Sequence, residues 1–235
     1  MSPPGDRAKQ DGYHSSMKRD LLFAAIAGVV VLSGPSLAQS PDTHRHRFHD
    51  ADKWAKVFDD PARDAWQKPH EVIVALGLAP DTLVADIGSG TGYFAARLAH
   101  RVPKGRVYGV DTEPDMVKHL AERAKREGLA NLVSLAGAPD DPRLPAKVDL
   151  ILMVDVYHHI AEREKYFRKL QGSLKPAGRI AIIDFKVEAP MGPPKRERIS
   201  PERVRAELGR AGYALAEEHD FLPNQYFLVF RPGRR

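Results

Sequence analysis

A glycine-rich turn is the feature that most constrains the fold of this chain. Residues 84–94 read VADIGSGTGYF, in which an apolar strand ends at Asp86 and the glycines Gly88, Gly90 and Gly92 lead directly into a helical pattern. Because glycines leave no side chain in the way, backbone N–H groups of such a turn can close on an anionic or zwitterionic ligand. The sequence therefore predicts a nucleotide-cofactor site at this turn.

The spacing of the glycines distinguishes between two classes of cofactor. Dinucleotide-binding turns follow Gly-x-Gly-x-x-Gly, which would here require a glycine at the position of Tyr93. The observed pattern is Asp-x-Gly-x-Gly-x-Gly, and the difference points away from NAD. A dinucleotide-dependent oxidoreductase is therefore the less favoured alternative.

A second acidic residue follows one strand later. The segment 106–111 has the pattern of a short strand that ends at Asp111, about 20 residues beyond the glycine turn, where a carboxylate can accept hydrogen bonds from both ribose hydroxyls. An aspartate at a strand end is also a common helix cap or turn residue. Its combination with the glycine turn favours the ribose-binding interpretation of Asp111.

Strand and helix patterns alternate from residue 82 onward. The strand patterns lie at 82–87, 106–111, 132–136, 148–154, 178–184, 213–220 and 225–231, and the helical patterns at 91–101, 114–127, 161–172 and 201–210. Such alternation requires helices on both faces of a sheet. The sequence predicts an α/β fold with a doubly wound, mostly parallel seven-stranded sheet and a C-terminal antiparallel hairpin.

Together these features resemble those of the class I S-adenosylmethionine-dependent methyltransferases, over about residues 67 to 231. The segment 174–179, which reads LKPAGR, is also similar to the family's Leu-Lys-Pro-Gly-Gly-Arg turn, with Ala177 in place of one glycine. The resemblance implies a Rossmann-like fold and S-adenosylmethionine as the cofactor. It also implies that Asp86 helps to hold the amino group of the cofactor and that Asp111 holds its ribose.

The resemblance extends the cofactor site to other loops at the ends of strands. Ser89 lies within the glycine turn, and Asp155 directly follows the fourth strand. Relatives usually carry an acid after the third strand that accepts from the adenine amino group. Ala138 stands at its usual place, which leaves Asp140 or Asp141 as the candidate. A plain Asp-Pro loop is the alternative interpretation of these two acids.

Two adjacent histidines, His158 and His159, follow the fourth strand, with Tyr157 before them. Similar enzymes present substrate-facing side chains from this loop. A histidine that titrates near neutrality can remove a proton from an attacking hydroxyl, amine or activated carbon. The catalytic candidates are therefore His158 or His159 as the base and Tyr157 as a pocket residue. Alternatively, one histidine packs under the next helix and the other is solvated.

The predicted reaction is transfer of a methyl group from S-adenosylmethionine to a small-molecule acceptor. The loop at 186–200 is short, and the 235 residues leave no room for a separate polymer-binding module. An exported protein that binds S-adenosylmethionine or S-adenosylhomocysteine without catalysis is the alternative, because a fold does not imply turnover.

Composition excludes several other kinds of site and partner. The chain contains no cysteine, which rules out disulfides and thiolate metal ligands. The net charge of +5 comes from basic residues scattered among acidic ones, so no nucleic-acid partner is predicted. His44, His46 and His49 lie close together, but a solvated linker is the simpler interpretation, and no metal site is predicted.

The N-terminal region has the pattern of a secretory signal peptide. A basic segment that begins at Met17 precedes an apolar run at 21–32 and a small-x-small cleavage site that ends at Ala38. The apolar run is too short to cross a bilayer, so no stable membrane anchor is predicted. We expect residues 1–38 to be removed, with Met17 as a candidate for the true start. The protein is then periplasmic or secreted, or cytoplasmic if the signal is not used.

Residues 39–66 are predicted to form a polar linker followed by a helical lid. In similar methyltransferases an N-terminal helix lies over the cofactor and the substrate, which makes Arg63, Trp66 and Gln67 candidate lid residues. A simple packing role is the alternative for the indole ring of Trp66. The methyltransferase domain is then expected to span 67–235.

Overall fold

The computed structural model describes residues 50–233 of the chain. The predicted signal peptide, most of the predicted linker and the three linker histidines lie outside these residues. No helix in this part of the chain is long and apolar enough to cross a membrane.

Helices and strands alternate through most of the described chain. The helices are α1 (Ala51–Phe58), α2 (Asp64–Gln67), α3 (Pro69–Ala75), α4 (Tyr93–Arg101), α5 (Pro114–Arg126), α6 (Arg163–Leu170) and α7 (Pro201–Arg210). The strands are β1 (Leu83–Ile87), β2 (Arg106–Asp111), β3 (Leu132–Ala136), β4 (Val148–Val154), β5 (Leu174–Phe185), β6 (Tyr213–His219) and β7 (Gln225–Pro232). Short 3-10 turns occur at Pro61–Arg63, Tyr157–His159, Gln171–Ser173 and Lys195–Glu197.

The strands form one sheet in the order β3-β2-β1-β4-β5-β7-β6. The first five strands of this order are parallel, and β7 runs antiparallel to both β5 and β6. The prediction of a doubly wound α/β sheet with a C-terminal antiparallel hairpin is confirmed. Strand order reverses between β1 and β4, and ligands of open α/β sheets bind beyond the carboxyl ends of strands at such a point.

Apolar clusters cover both faces of the sheet. Because side chains alternate along a strand, Val84 packs with α3 and α4 on one face, whereas Ala85 packs with α6 and α7 on the other. Core residues of these helices, such as Leu98 and Phe167, have no exposed surface. The strand ends that carry the predicted site residues therefore rest on a packed, doubly covered sheet.

Strand β5 and helix α6 differ most from their predicted bounds, and the other elements predicted from residue 82 onward agree within two residues at each end. Strand β5 begins at Leu174 instead of residue 178, because its register with β4 shifts between Val148 and Leu150 and accommodates the extra residues. The helix predicted at 161–172 ends at Leu170, where a 3-10 turn that contains the weak helix former Gly172 replaces it.

Candidate functional site

The glycine turn lies between the end of β1 and the start of α4. Gly88, Gly90 and Gly92 have φ angles of 73°, 53° and 91°, which residues with side chains rarely adopt. A Cβ on Gly88 would come within 2.3 Å of Cγ2 of Val156, whereas a Cβ on Gly90 would meet the ring of Phe58 at 3.6 Å. Close approach therefore requires glycine at residue 88, and Gly90 lies against the Phe58 ring.

Backbone amides of this turn are engaged within the protein. The N–H groups of Gly88 and Ser89 donate to the carbonyl of Val110 at 2.8 and 3.0 Å. The N–H of Gly90 donates to Oδ2 of Asp111 at 2.8 Å. The expectation that these amides close on a ligand is therefore wrong for these three groups.

The polar groups of the turn that lack a hydrogen-bond partner are side-chain oxygens. Within residues 50–233, Oδ2 of Asp86, Oγ of Ser89 and Oγ1 of Thr91 are buried and have no hydrogen-bond partner. Burial, with the nearby Asp111 carboxylate, raises the pKa of Asp86 to about 7. Because buried polar atoms without partners cost free energy, these oxygens fit a site that receives a ligand with hydrogen-bond donors.

Asp111 joins the end of β2 to the glycine turn. Its Oδ2 accepts from Gly90, and its Oδ1 accepts from the N–H of Glu113 at 3.0 Å. Burial raises the pKa of Asp111, although these hydrogen bonds oppose the shift. Asp111 thus makes the contacts expected of a turn residue. Its carboxylate also lies close enough to Asp86 to raise the pKa of that residue.

Residues 50–67, here called the N-terminal cover, lie against the turn. The ring of Phe58 lies on the side of Gly90 where a side chain would point, and Trp54 stacks on Phe58 with ring centroids 5.3 Å apart. Asp59 pairs with Arg123 of α5 across 3.0 Å. These contacts attach the first half of the cover to the α5 side of the turn.

Arg63 and Gln67 attach the second half of the cover to the sheet. Nε of Arg63 donates to Oε1 of Gln67 at 2.9 Å, and Nε2 of Gln67 donates to Oε1 of Gln225 at 2.7 Å. Nε2 of Gln225 donates to Oδ1 of Asp155 at 2.5 Å, and Oδ2 of Asp155 lies 3.5 Å from the Arg63 guanidinium. These four residues form a closed polar ring at the ends of β4 and β7.

Asp155 occupies an unusual backbone conformation in this ring. Its φ of 60° lies in the left-handed region, which non-glycine residues occupy mainly where surrounding contacts hold them. Burial and the negative charge of Asp184 raise its pKa to about 7, against the opposing charge of Arg63. The structure thus places Asp155 among the acids at the switch point of the sheet.

His158 forms an ion pair with Asp184 at the end of β5. Nδ1 of His158 lies 2.8 Å from Oδ2 of Asp184, and the side chains are only 5% and 2% exposed. Burial lowers the pKa of His158, but the hydrogen bond and charge of Asp184 outweigh it, so the pKa is raised. Because a carboxylate accepts, the neutral ring carries its proton on Nδ1, and no described residue donates to Nε2.

His159 and Trp66 pack against neighbouring rings of the site. His159 contacts His158 with ring centroids 4.1 Å apart. Trp66 lies 5.7 Å from Phe185, the residue that ends β5. His159 therefore borders the His158–Asp184 pair, and Trp66 packs at the end of β5.

Tyr157 has a different role from the predicted one. The residue is fully buried, and its hydroxyl donates to Oε2 of Glu207 in α7 at 2.6 Å. Glu207 also pairs with Arg163 at 2.5 Å and with Arg203 at 2.8 Å. The prediction of Tyr157 as a pocket residue is wrong, because the 3-10 turn after β4 directs its side chain into the core beneath α6 and α7.

The two acids after β3 have different surroundings. Asp141 accepts from the N–H of Arg143 at 2.8 Å and pairs with Lys169 of α6 at 2.9 Å, and these contacts lower its pKa. Its carboxylate is thereby engaged with α6. Asp140 is exposed on the same turn and stays the candidate for the adenine contact.

Sequence reasoning missed three residues of the site. Gln225 is recognisable in the sequence as a polar residue at the start of a mainly apolar strand. Tyr226, beside it, is 4% exposed, and its hydroxyl has no partner among the described residues. Glu197, on the loop after β5, lies close enough to His158 to act on its charge.

Known proteins share this sequence pattern and this architecture. A family model described as a methyltransferase domain matches residues 78–210. Trans-aconitate 2-methyltransferase of Rhodopseudomonas palustris (strain BisB18) is 28% identical over 186 residues, which cover 78% of this chain and 68% of the relative. The crystal structure of a SAM-dependent methyltransferase from Aquifex aeolicus is 30% identical with a TM-score of 0.71, covering 77% of this chain and 97% of that one.

A further solved structure shows the same fold at lower identity. Magnesium protoporphyrin IX methyltransferase of Synechocystis, crystallised with bound S-adenosylhomocysteine, is 21% identical with a TM-score of 0.59. The match covers 76% of this chain and 92% of that one.

Proposed function

We propose that this chain, which belongs to the methyltransferase-domain family, methylates a small molecule whose attacking atom carries a proton. The chain is an S-adenosylmethionine-dependent methyltransferase. The choice of a protic acceptor rests on one observation: Asp184 holds Nδ1 of His158, while Nε2 of the same ring has no partner within residues 50–233.

The cofactor fits the groups that the glycine turn leaves unsatisfied. We assign the amino group of the cofactor to Asp86 and its ribose hydroxyls to Asp111. Arg63, whose positive charge acts on both Asp86 and Asp155, is assigned to the carboxylate. Asp140 is the proposed adenine partner. The bound cofactor supplies a methyl group on a sulfonium, and positioning of the reactants contributes roughly 7 to 11 kcal/mol in well-oriented systems.

His158 is the proposed acceptor of the proton. The O–H or N–H bond of the acceptor breaks, its electron pair stays on the attacking atom, and the proton moves to Nε2 of His158. Asp184 then faces the imidazolium across 2.8 Å and stabilises it. The backbone N–H of Phe185 donates to Oδ1 of Asp184 at 2.8 Å and fixes the carboxylate.

Two measurements on the full chain test the proposal. Calorimetric titration with S-adenosylhomocysteine tests the cofactor site, and mass spectrometry after incubation with a small-molecule library and labelled cofactor tests turnover. We expect His158→Gln to lower kcat by about 10² to 10⁴ without weakening S-adenosylhomocysteine binding. His100→Gln, an exposed histidine of α4, is the matched control.

The remaining outcomes separate the alternatives. A loss confined to His159→Gln assigns the base to that residue instead. Cofactor binding without turnover of any acceptor supports the binding protein that the sequence left as the alternative.

We also propose that the protein is exported and cleaved after Ala38. The order of basic, apolar and small-residue segments supports this proposal. Cell fractionation and mass spectrometry of the N-terminus test it. A periplasmic or secreted product that begins at Gln39 is expected, and an intact cytoplasmic chain contradicts it.

A further inference from the structure

We propose that Tyr93 is a positioning residue, whose ring holds the Arg63 guanidinium at the switch point of the sheet so that it binds the carboxylate of the cofactor. This inference rests on the proposed function, which assigns Arg63 to that carboxylate, and adds the residue that fixes Arg63 in place. Tyr93 directly follows the glycine turn, where a dinucleotide-binding turn would carry its third glycine.

Three contacts place the Arg63 guanidinium between the glycine turn and the end of β4. Its Cζ lies 4.2 Å from the centroid of the Tyr93 ring, at the start of α4. Nη1 donates to the carbonyl of Phe58 at 3.0 Å, and Nη2 lies 3.5 Å from Oδ2 of Asp155, which follows β4. Because strand order reverses between β1 and β4, Arg63 lies where open α/β sheets bind their ligands.

The guanidinium keeps hydrogen-bond donors for a ligand. Of its five N–H groups, the one at Nε donates to Gln67 at 2.9 Å, and one at Nη1 donates to Phe58. The 3.5 Å between Nη2 and Asp155 exceeds the roughly 2.8 Å of a charge-assisted hydrogen bond. Within residues 50–233, the other N–H of Nη1 and both of Nη2 are thus left for a carboxylate, which arginine binds through two parallel bonds.

The Tyr93 ring is itself fixed in place. The residue is 4% exposed, and its hydroxyl donates to Oδ1 of Asp64, the neighbour of Arg63 in the N-terminal cover. Arg97 of α4 also lies over the ring, with Cζ 4.1 Å from its centroid, and pairs with Asp64 across 3.2 Å. Two consecutive residues of the cover therefore hold one tyrosine, Arg63 at the ring and Asp64 at the hydroxyl.

An aromatic face suits the task of holding a guanidinium. The ring attracts the cation and stacks with its plane without using its N–H groups, which stay free for the ligand. Tyr93 is the closer of the two rings near Arg63, because the Trp66 centroid lies 5.9 Å from Cζ. A side chain that is held before the ligand arrives loses less conformational entropy on binding.

Two ligands that differ in one group test the proposal. S-Adenosylhomocysteine carries the carboxylate, whereas its decarboxylated analogue, S-adenosyl-3-thiopropylamine, lacks only that group. Each is titrated calorimetrically into the full chain, and the ratio of the two Kd values is the readout. We expect wild type to bind S-adenosylhomocysteine about tenfold more tightly than the analogue, and Arg63→Met to abolish this preference.

Variants of Tyr93 separate positioning from stability. Tyr93→Leu is expected to reduce the preference by about threefold or more, whereas Tyr93→Phe, which keeps the ring, should stay within about twofold of wild type. Tyr213→Leu is the matched control, because Tyr213 of β6 is 5% exposed and its hydroxyl donates to the carbonyl of Phe167 at 2.9 Å. It should leave the ratio unchanged, as would any change that only loosens the fold and weakens both ligands alike.

Nuclear magnetic resonance on the unliganded chain supplies a second measurement. The Nε–H proton of Arg63, assigned by its loss in Arg63→Met, should be shifted upfield by the ring current of Tyr93 and should lose that shift in Tyr93→Leu. Absence of the shift from wild type overturns the proposal, and this result does not depend on whether Tyr93→Leu folds.

The outcomes separate this inference from the proposed function. Failure of S-adenosylhomocysteine to bind the wild-type chain overturns the proposed function. Normal S-adenosylhomocysteine binding with equal affinity for the analogue overturns the Arg63 contact and the role of Tyr93, and leaves the methyltransferase assignment intact. An unchanged ratio in Tyr93→Leu, or an equal loss in Tyr93→Phe, overturns only the role of the Tyr93 ring.

Discussion

The side-chain amide of Gln67 donates to the side-chain carbonyl of Gln225 across 2.7 Å, although the two residues are 158 positions apart and neither is exposed. Gln225 passes the connection on to Asp155. The N-terminal cover and the end of β4 are therefore held by one polar ring.

The free-energy costs of replacing Gln67 and Gln225 should not add, because the first replacement already breaks the hydrogen bond between them. Gln225→Leu leaves the buried Gln67 amide without its acceptor, and we expect a loss of about 1 to 3 kcal/mol in the free energy of unfolding. Gln67→Leu in that background should cost little more. Urea unfolding of both single variants and the double variant measures the coupling.

Gln171 offers the control for this cycle. Its amide donates to the carbonyl of Ala211 at 2.7 Å and has no contact with the polar ring. Gln171→Leu and Gln225→Leu should therefore have additive effects. Additivity between Gln67→Leu and Gln225→Leu would contradict the ring.

Cofactor affinity should depend on the protonation of Asp86. The carboxyl, with its pKa raised to about 7, must be ionised to bind an ammonium group. We expect S-adenosylhomocysteine binding to weaken by about tenfold between pH 8 and pH 6, with proton release on binding near neutrality. Asp86→Asn should bind weakly and lose this dependence, which calorimetry in buffers of different ionisation enthalpy tests.

The same carboxyl should destabilise the unliganded chain at high pH. Its pKa of about 7 in the folded chain exceeds the ordinary value of 3.8, so the folded state binds more protons between these values. Stability contributed by this group therefore falls as pH rises across that window. We expect Asp86→Asn to raise the free energy of unfolding relative to wild type at about pH 8 but not at about pH 4. A larger gain at low pH would refute this assignment.

Asp184 should set the titration of His158. Because Asp184 raises the pKa of His158, Asp184→Asn is expected to move that pKa to lower values. The ring proton resonance, assigned by its loss in His158→Gln, follows the titration by NMR without any acceptor. The acidic limb of the pH–rate profile should shift in the same direction. An unchanged titration of His158 in Asp184→Asn would show that Asp184 does not set the pKa of His158.

Tyr157 should contribute to stability and not to catalysis. Tyr157→Phe removes a hydrogen bond to a buried carboxylate, with an expected cost of about 1.5 to 3 kcal/mol. S-adenosylhomocysteine affinity and kcat should stay within about twofold of wild type. Burial opposes ionisation of Glu207, but Arg163, Tyr157 and Arg203 lower its pKa from 4.5 to about 2. The stability contributed by its ionised form should therefore be complete above about pH 4.5 and should be lost progressively as the pH falls to about 2.

The sequence predicted the parts of this protein that depend on local pattern. The periodicity of apolar residues predicts the strands and helices of the sheet, and the glycine spacing from Asp86 to Gly92 predicts a ligand-binding turn at the end of a strand. The bond from Gln225 to Asp155 joins β7 to the end of β4 across β5, and the bond from His158 to Asp184 joins the loop after β4 to β5, so both depend on the order of strands in the folded sheet. No spacing along the chain encodes either contact.

The errors have a related physical cause. Residue type made Tyr157 a plausible pocket residue, but the direction of its side chain is set by a 3-10 turn whose geometry the sequence does not specify. The amides of Gly88 and Gly90 looked available for a ligand because their partners, Val110 and Asp111, lie on the next strand.

Both tryptophans of the chain lie in the N-terminal cover, Trp54 on Phe58 and Trp66 beside Phe185. Indole emission from this enzyme consequently originates from one segment that lies by the glycine turn at one end and packs on the last residue of β5 at the other. The protein carries its own optical reporter, so the arrival of either ligand can be followed in real time without a label.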